Sequence, residues 1–298
     1  MALYPLYPLM NSYCYCNTMY TIHPETKVME VRAQRNIARG EEISTRYILP
    51  SLEQPARLAT IHKAWGFICA CARCESPSEL GSGYSSLVCD QCGGGVMMAS
   101  PGDLDSDWQC EKCGETSSRE QVGAVLARCR VIMAEAEEVE SLEMVLTRLQ
   151  ELIHPNHSFC VQVKNNLISA YNGRGNKTRE ELGRQLQLVE EVLEVIDIID
   201  PGMTPKRGGL LKQLVDIRMK TANLDVESGD IDKKTHLAAM RGSMMMMKEI
   251  MKCLKKWKKL YFSLEISIRF FHFFNWITIE NQYQLSSRQI VSYRTWRI

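Results

Sequence analysis

What this sequence lacks narrows its function before anything it contains. With 36 Lys and Arg against 35 Asp and Glu, its formal net charge is +1, so no overall field steers it toward nucleic acid. No stretch supplies the roughly 18 clean apolar residues of a membrane span. The nearest, 261–279, is interrupted by Glu265, Arg269 and His272. The opening MALYPLYPLM has neither the basic start nor the long apolar centre of a secretory signal. The first 50 residues hold no glycine-rich phosphate cradle, since Gly40 stands alone and reads as a turn residue. Basic residues bunch only at 252–259 (KCLKKWKK), a pattern read as a solvated helix end. The remaining composition, 45% hydrophobic and 24% charged over 298 residues, is that of a globular chain with room for two modules.

What is there in excess is cysteine. Seven of the twelve lie between residues 69 and 114. They open as C-A-C-A-R-C (Cys69, Cys71, Cys74) and close as Cys89-x2-Cys92 followed by Cys110-x2-Cys113. Two residues between paired cysteines let both thiolates reach one ion from one tight turn, and a tetrahedral Zn²⁺ takes its other two ligands from a second such turn. The spacing therefore predicts a structural zinc ribbon on Cys89, Cys92, Cys110 and Cys113. A disulfide framework belongs to small secreted domains; a thiol-rich chain without a secretion signal is expected in the cytoplasm or nucleus. Asp90, Asp103, Asp105, Asp107 and Glu111 face Lys112 alone in this block, the wrong sign for phosphate contacts. The D-x-D-x-D at 103–107 lacks the glycine and glutamate of a calcium loop and reads as solvated.

Periodicity organises the rest. Residues 17–23, 28–37 and 41–47 read as short strands, with turns at Pro24-Glu25 and Gly40. Three such strands do not close a core alone. Residues 52–65 read as a helix with Pro55 in its first turn, and 75–86 as a polar linker between the two cysteine groups. From Ser117 the pattern turns helical. Ser117-x-x-Glu120 has capping-box form, and Val122, Val125, Leu126, Cys129, Ile132 and Met133 form a stripe, as do Leu142, Val145, Leu146, Leu149 and Ile153. Further amphipathic runs cover 159–171, 178–199, 210–224 and 231–257, with breaks at 173–176, 201–205 and Gly229. Helices of this length with short connections predict an antiparallel array of tetratricopeptide type. His154 and His157 are expected to cap or pack, Cys129, Cys160 and Cys253 to be buried small hydrophobes, and Met244–Met247 to be core. The phenylalanine-rich tail 261–298 yields no assignment.

Three segments together resemble the SET and MYND domain (SMYD) family of protein-lysine methyltransferases, in particular its arthropod branch. Residues 3–17 (LYPLYPLMNSYCYCN) are similar to the family's N-H-S-C-x-P-N segment, 40–47 (GEEISTRY) to the strand ending in its catalytic tyrosine, and 67–74 (FICACARC) to its post-SET F-x-C-x-C-x2-C cap. The resemblance runs from about residue 2 to 254. It implies that Cys14 joins Cys69, Cys71 and Cys74 as a first zinc site, separate from the ribbon. It also implies that Asn11, Ser12, Tyr47 and Phe67 meet S-adenosylmethionine and that Tyr47, as the catalytic residue, orients the reacting groups. Within the matched segment Ser12, Tyr13 and Cys16 replace the family's His, Ser and Pro.

The expected fold is α+β, a small β-rich partial SET and post-SET module with two zinc sites followed by an all-α tetratricopeptide-like array. The expected division is 1–50 as the C-terminal part of a SET domain, 51–80 as the post-SET cap, 81–116 as a ribbon-like insert, 117–258 as the helical domain and 259–298 as an atypical tail. The family's N-terminal SET strands, cofactor loop and MYND finger are expected to lie outside this chain. The function expected is thus family-level S-adenosylmethionine-dependent lysine N-methylation, inactive in this chain alone. The alternative is a non-catalytic zinc-stabilised scaffold. Partners are expected to be a protein substrate or binding protein meeting the helical domain, with no nucleic acid and no membrane.

Overall fold

The computed structural model describes residues 3–102, 106–134 and 136–229, and the isolated positions 242, 245 and 248. The expected helix at 231–257, the basic run at 252–259, Cys253, the aromatic tail and the Asp103 and Asp105 pair lie outside the described residues. Met245 is 72% exposed, against the core role expected for its run.

A 3-10 turn at Tyr7–Leu9 leads into β1 (Asn11–Ser12), followed by β2 (Thr18–Ile22), β3 (Met29–Ala33) and β4 (Ser44–Thr45). β2 and β3 form an antiparallel hairpin with Tyr20 opposite Val31. β1 and β4 pair in parallel, Asn11 with Ser44 and Ser12 with Thr45. Parallel partners need a long crossover, and here the hairpin is that crossover. The strands are shorter than the sequence predicts. Gln34 still donates its backbone N–H to the Asn17 carbonyl (2.9 Å), but its own carbonyl is taken by the Met203 N–H (2.7 Å), and the Glu42 carbonyl accepts from the Asn17 carboxamide (2.7 Å) rather than from a strand. Asn17 also accepts from the Ser44 N–H (2.9 Å), so one buried amide replaces several ladder bonds.

Helix α1 (Gln54–Trp65) has Pro55 in its first turn and stops at Gly66, whose φ of 75° is the left-handed ending glycine tolerates. A single-turn α2 (Ala72–Glu75) follows. The ribbon is a four-stranded antiparallel sheet of β5 (Leu87–Val88), β6 (Val96–Ala99), β7 (Trp108–Cys110) and β8 (Thr116–Ser117).

Five helices complete the described fold: α3 (Arg119–Met133), α4 (Val139–Gln150), α5 (Ser158–Gly173), α6 (Arg179–Ile199) and α7 (Pro205–Glu227). Consecutive members pack on one another, burying Leu142, Val145, Leu146, Leu149, Leu188, Val192 and Leu214 among others. The α3 capping box is Ser118 with Gln121, one residue later than expected. Ser117 is held by β8, opposite Trp108, and cannot also turn into the helix. No helix among the described residues is long and apolar enough to cross a membrane.

The polar segment 75–86 is not a loose linker. Glu79, Ser82, Tyr84, Ser85 and Ser86 are all buried, and the chain from Tyr84 to Val88 is laced to the α4–α5 connection. Ser158 N–H donates to the Tyr84 carbonyl (2.9 Å), His154 N–H to Ser86 (3.0 Å), and Val88 N–H to Leu152 (3.0 Å). His154 and His157 serve that junction as expected. His157 caps α5 by accepting from the Phe159 N–H, and burial pulls its imidazole down to about 3.

Candidate metal centres and the strand-end tyrosine

The parallel β1–β4 pairing carries Cys14 past the end of β4 toward α1 and α2. There its sulfur meets those of Cys69, Cys71 and Cys74, all four within 4.8 Å of one another and all buried. Leu58 and Ile61 of α1 pack against this cluster, with Tyr13, Tyr15, Ile48 and Phe67 partly covering it. The sulfurs share their protons unequally. Hydrogen bonding from Cys14, then from Cys69 and Cys74, drives the Cys71 thiol far down, and hydrogen bonding with Cys14 brings Cys69 to about 7. Cys14 and Cys74 move the opposite way, their thiols raised by hydrogen bonding with Cys69 and with Cys14 respectively. Four sulfurs in mutual contact are the donor set that a thiophilic divalent ion takes.

Beside the cluster lies a charged core. Arg57 and Arg73 are fully buried, and both reach Glu79, Arg57 at 2.7 Å and Arg73 at 3.0 Å. Arg57 also approaches the Cys74 sulfur (3.7 Å) and donates to the Leu52 carbonyl (2.8 Å). Arg73 donates to the Pro50 carbonyl (2.7 Å), and Gln54 to that of Cys74 (2.9 Å). Two cations against one carboxylate leave a positive excess, which the negative charge of a tetrathiolate–Zn²⁺ site would offset. None of Arg57, Arg73 or Glu79 stands out in the sequence, where a charged residue reads as surface.

The second cluster, Cys89, Cys92, Cys110 and Cys113, sits on the two ribbon knuckles. Cys89 and Cys113 are 3.7 Å apart and Cys92 and Cys110 3.8 Å. A tetrahedron with Zn–S bonds of about 2.3 Å has edges of about 3.8 Å, so the spacing fits the ion. Gly95 is required here. A Cβ at that position would fall 2.3 Å from the Cys110 sulfur and 2.9 Å from that of Cys92. Gly93 supplies a positive φ of 60° at the first knuckle. Cys89 and Cys110 are buried, Cys92 is half-buried and Cys113 exposed. Both four-cysteine clusters could hold zinc.

Tyr47 lies two residues past the end of β4, and its N–H donates to the Ser12 hydroxyl (3.2 Å). Its ring lies 5.1 Å from that of Trp65, while Tyr7 hydrogen-bonds Thr45 next door (3.0 Å). Asn11 is exposed, and its carboxamide donates to Glu42, as does the Tyr13 hydroxyl (2.9 Å). Phe67 is partly buried against the first cluster. The segments carrying Asn11, Ser12, Tyr47 and Phe67 thus converge on one region, although Asn11 and Ser12 already have partners within the chain.

Arg46, one residue before Tyr47, reaches the helical region. It donates to Asp200 at the end of α6 (2.6 Å) and to Gln34 (2.9 Å). The Gln34 carbonyl accepts from the Met203 N–H (2.7 Å), and a Cβ on Gly202 would fall 2.2 Å from that oxygen. Nothing in the local sequence announces this joint.

No family model matches the chain. It is similar to SET domain-containing protein SmydA-8, isoform B, of Drosophila melanogaster, with 32% identity over 114 residues, 38% of this chain and 25% of that protein. It is 40% identical over 67 residues to the histone-lysine N-methyltransferase SET5 of Candida albicans, 22% of this chain and 14% of that one. A longer, weaker likeness, 24% over 221 residues, covers 67% of the chain and 42% of the histone-lysine N-methyltransferase ASHR1 of Arabidopsis thaliana. The chain spans about a quarter of the length of the fly relative it matches. Together with the motif order, these likenesses support a SMYD-like member of the SET-domain proteins.

Proposed function

We propose that this chain carries the strand-end and zinc-cap part of an S-adenosylmethionine-dependent protein-lysine N-methyltransferase site. The observation that supports the reading best is the parallel β1–β4 pairing, which sets the Asn11–Cys14 segment beside Tyr47 and ties it to Cys69, Cys71 and Cys74. In this reading Ser12, Asn11 and Phe67 would hold the cofactor, and the Tyr47 hydroxyl would orient a neutral lysine amine. The bound cofactor supplies an electrophilic sulfonium methyl. The chain's own part is alignment, which for such a displacement matters more than acid–base power, together with fixed dipoles around the transferring group. Residues 117–258, as a tetratricopeptide-like array, would meet the protein substrate or a partner, in the cytoplasm or nucleus.

This chain alone is proposed to bind the cofactor without turning it over. Ser12 and Tyr13 stand where the family has His and Ser, and Asn11 and Tyr13 are both engaged by Glu42. Those same internal hydrogen bonds favour the second reading, a zinc-stabilised scaffold that offers its helices to a protein. Titration of the zinc-loaded chain with S-adenosylmethionine by calorimetry separates the two. Saturable heat without methyl transfer to lysine peptides is expected; no heat at millimolar ligand would leave only the scaffold.

A further inference from the structure

A cavity of about 380 Å³ opens between the loop before α1, the first turns of α5 and the start of α7. That volume falls within the range of small-ligand pockets. Glu53, Gln162, Asn165, Asn166 and Lys206 supply its polar lining, with Leu52, Val161 and Phe159 as its apolar part. Lys206 is the group in this lining without a counterpart among the described residues. Among the described residues no carboxylate or carbonyl accepts from its ammonium, and burial holds its pKa below the ordinary lysine value, with Asp200 acting only from a distance. Asp200 is itself bound to Arg46. Glu53 is turned to other groups, the Ser158 hydroxyl and the Arg130 charge. Gln162 and Asn166 make no side-chain hydrogen bond among the described residues, and Asn165 uses only its NH₂, on the Val161 carbonyl (2.7 Å).

We propose that this cavity binds the carboxylate of an aspartate or glutamate side chain on a peptide, with Lys206 as its counter-ion and the three carboxamides on the adjoining peptide groups. A half-buried, unpaired ammonium asks for an anion. Glu53 in the same lining disfavours a dianion such as phosphate and can accept from a peptide N–H, so a monoanion carried on a peptide is the better match. The carboxamides can donate and accept, as a peptide backbone requires. The site goes beyond the methyltransferase reading and does not depend on it, because it uses none of Asn11, Ser12, Tyr47 or Phe67.

The test is fluorescence anisotropy with the zinc-loaded full chain and three labelled hexapeptides. These are identical except for a central glutamate, glutamine or phosphoserine in a glycine–alanine background. The glutamate peptide is expected to bind at least about tenfold tighter than the glutamine peptide, and tighter than the phosphoserine peptide. Lys206→Gln should erase the glutamate preference while leaving two zinc ions per chain and the far-UV spectrum unchanged. Glu53→Gln should raise affinity for the phosphoserine peptide several-fold. Equal binding of the glutamate and glutamine peptides, or an unchanged preference in Lys206→Gln, would overturn the assignment. A phosphoserine peptide bound most tightly by the unmodified chain would overturn the choice of carboxylate. Because no methyl transfer is measured, failure of cofactor binding leaves these outcomes readable.

Discussion

Around Cys14, Cys69, Cys71 and Cys74 every sulfur is buried, whereas in the ribbon Cys92 is half-buried and Cys113 exposed. The first cluster has Leu58 and Ile61 against it and a buried guanidinium at 3.7 Å; the second has a sheet of two- to four-residue strands and a glycine turn. The same four-thiolate set is thus built in two ways. In one, the metal would replace hydrophobic core between segments far apart in sequence. In the other, it would hold a local fold whose four ligands lie within one short sheet and its turns. Burial and charge balance decide how much of the protein depends on each ion, since ligand identity is the same in both.

The sharpest way to break that comparison is to remove one ligand from each. Cys71→Ser is expected to lose one zinc ion and to unfold the module before the ribbon, a cost well above about 5 kcal/mol if the ion binds as structural zinc does. Cys113→Ser should lose the other ion and leave α3–α7 and the first cluster intact. Zinc stoichiometry by mass spectrometry, with hydrogen exchange along the chain, reads both. Equal and global unfolding in the two variants would erase the distinction.

A smaller effect tests the charge balance. Glu79→Gln leaves Arg57 and Arg73 buried without their shared carboxylate, and a loss of about 3–5 kcal/mol is expected from denaturant unfolding. The effect should be larger after chelation than in the zinc-loaded protein, because a tetrathiolate–zinc site is the remaining negative neighbour of Arg57. Ribbon zinc content should not change. The mildest variant acts on the ribbon alone. Gly95→Ala places a Cβ against two ligand sulfurs, and about a 10–100-fold loss of zinc affinity, the scale seen when support around a metal site is removed, is expected at that site only. Competition with a chromophoric chelator, resolved into two phases, measures it.

The ribbon was legible because its four ligands lie on two local turns whose spacing is chemical information. The helices were legible from their stripes, since Leu142, Val145, Leu146 and Leu149 are buried as their periodicity requires. Cys14 was reachable only through the family resemblance, because no local pattern links it to Cys69. The capping box slipped by one residue because Ser117-x-x-Glu120 and Ser118-x-x-Gln121 both satisfy the pattern, and a strand pairing with Trp108 chose between them. Glu79, the joint of Arg46 with Asp200, and the buried course of 82–87 could not be read. Each depends on which distant segment covers a polar residue, and a lone sequence carries no record of that.

The threading of Cys14 also sets an order of events during synthesis. About 55 residues separate it from Cys69, against 18 between Cys92 and Cys110. The longer closure costs only about 1 kcal/mol more in chain entropy, so the difference lies mainly in timing. On the ribosome Cys14 emerges long before its partners, with only Cys16 for a neighbouring thiol, while the ribbon's ligands follow one another within a few turns of chain. The ribbon can capture a metal by itself. The first cluster cannot close until Cys69, Cys71 and Cys74 have followed, and by then β4 has already been made and is available to pair with β1.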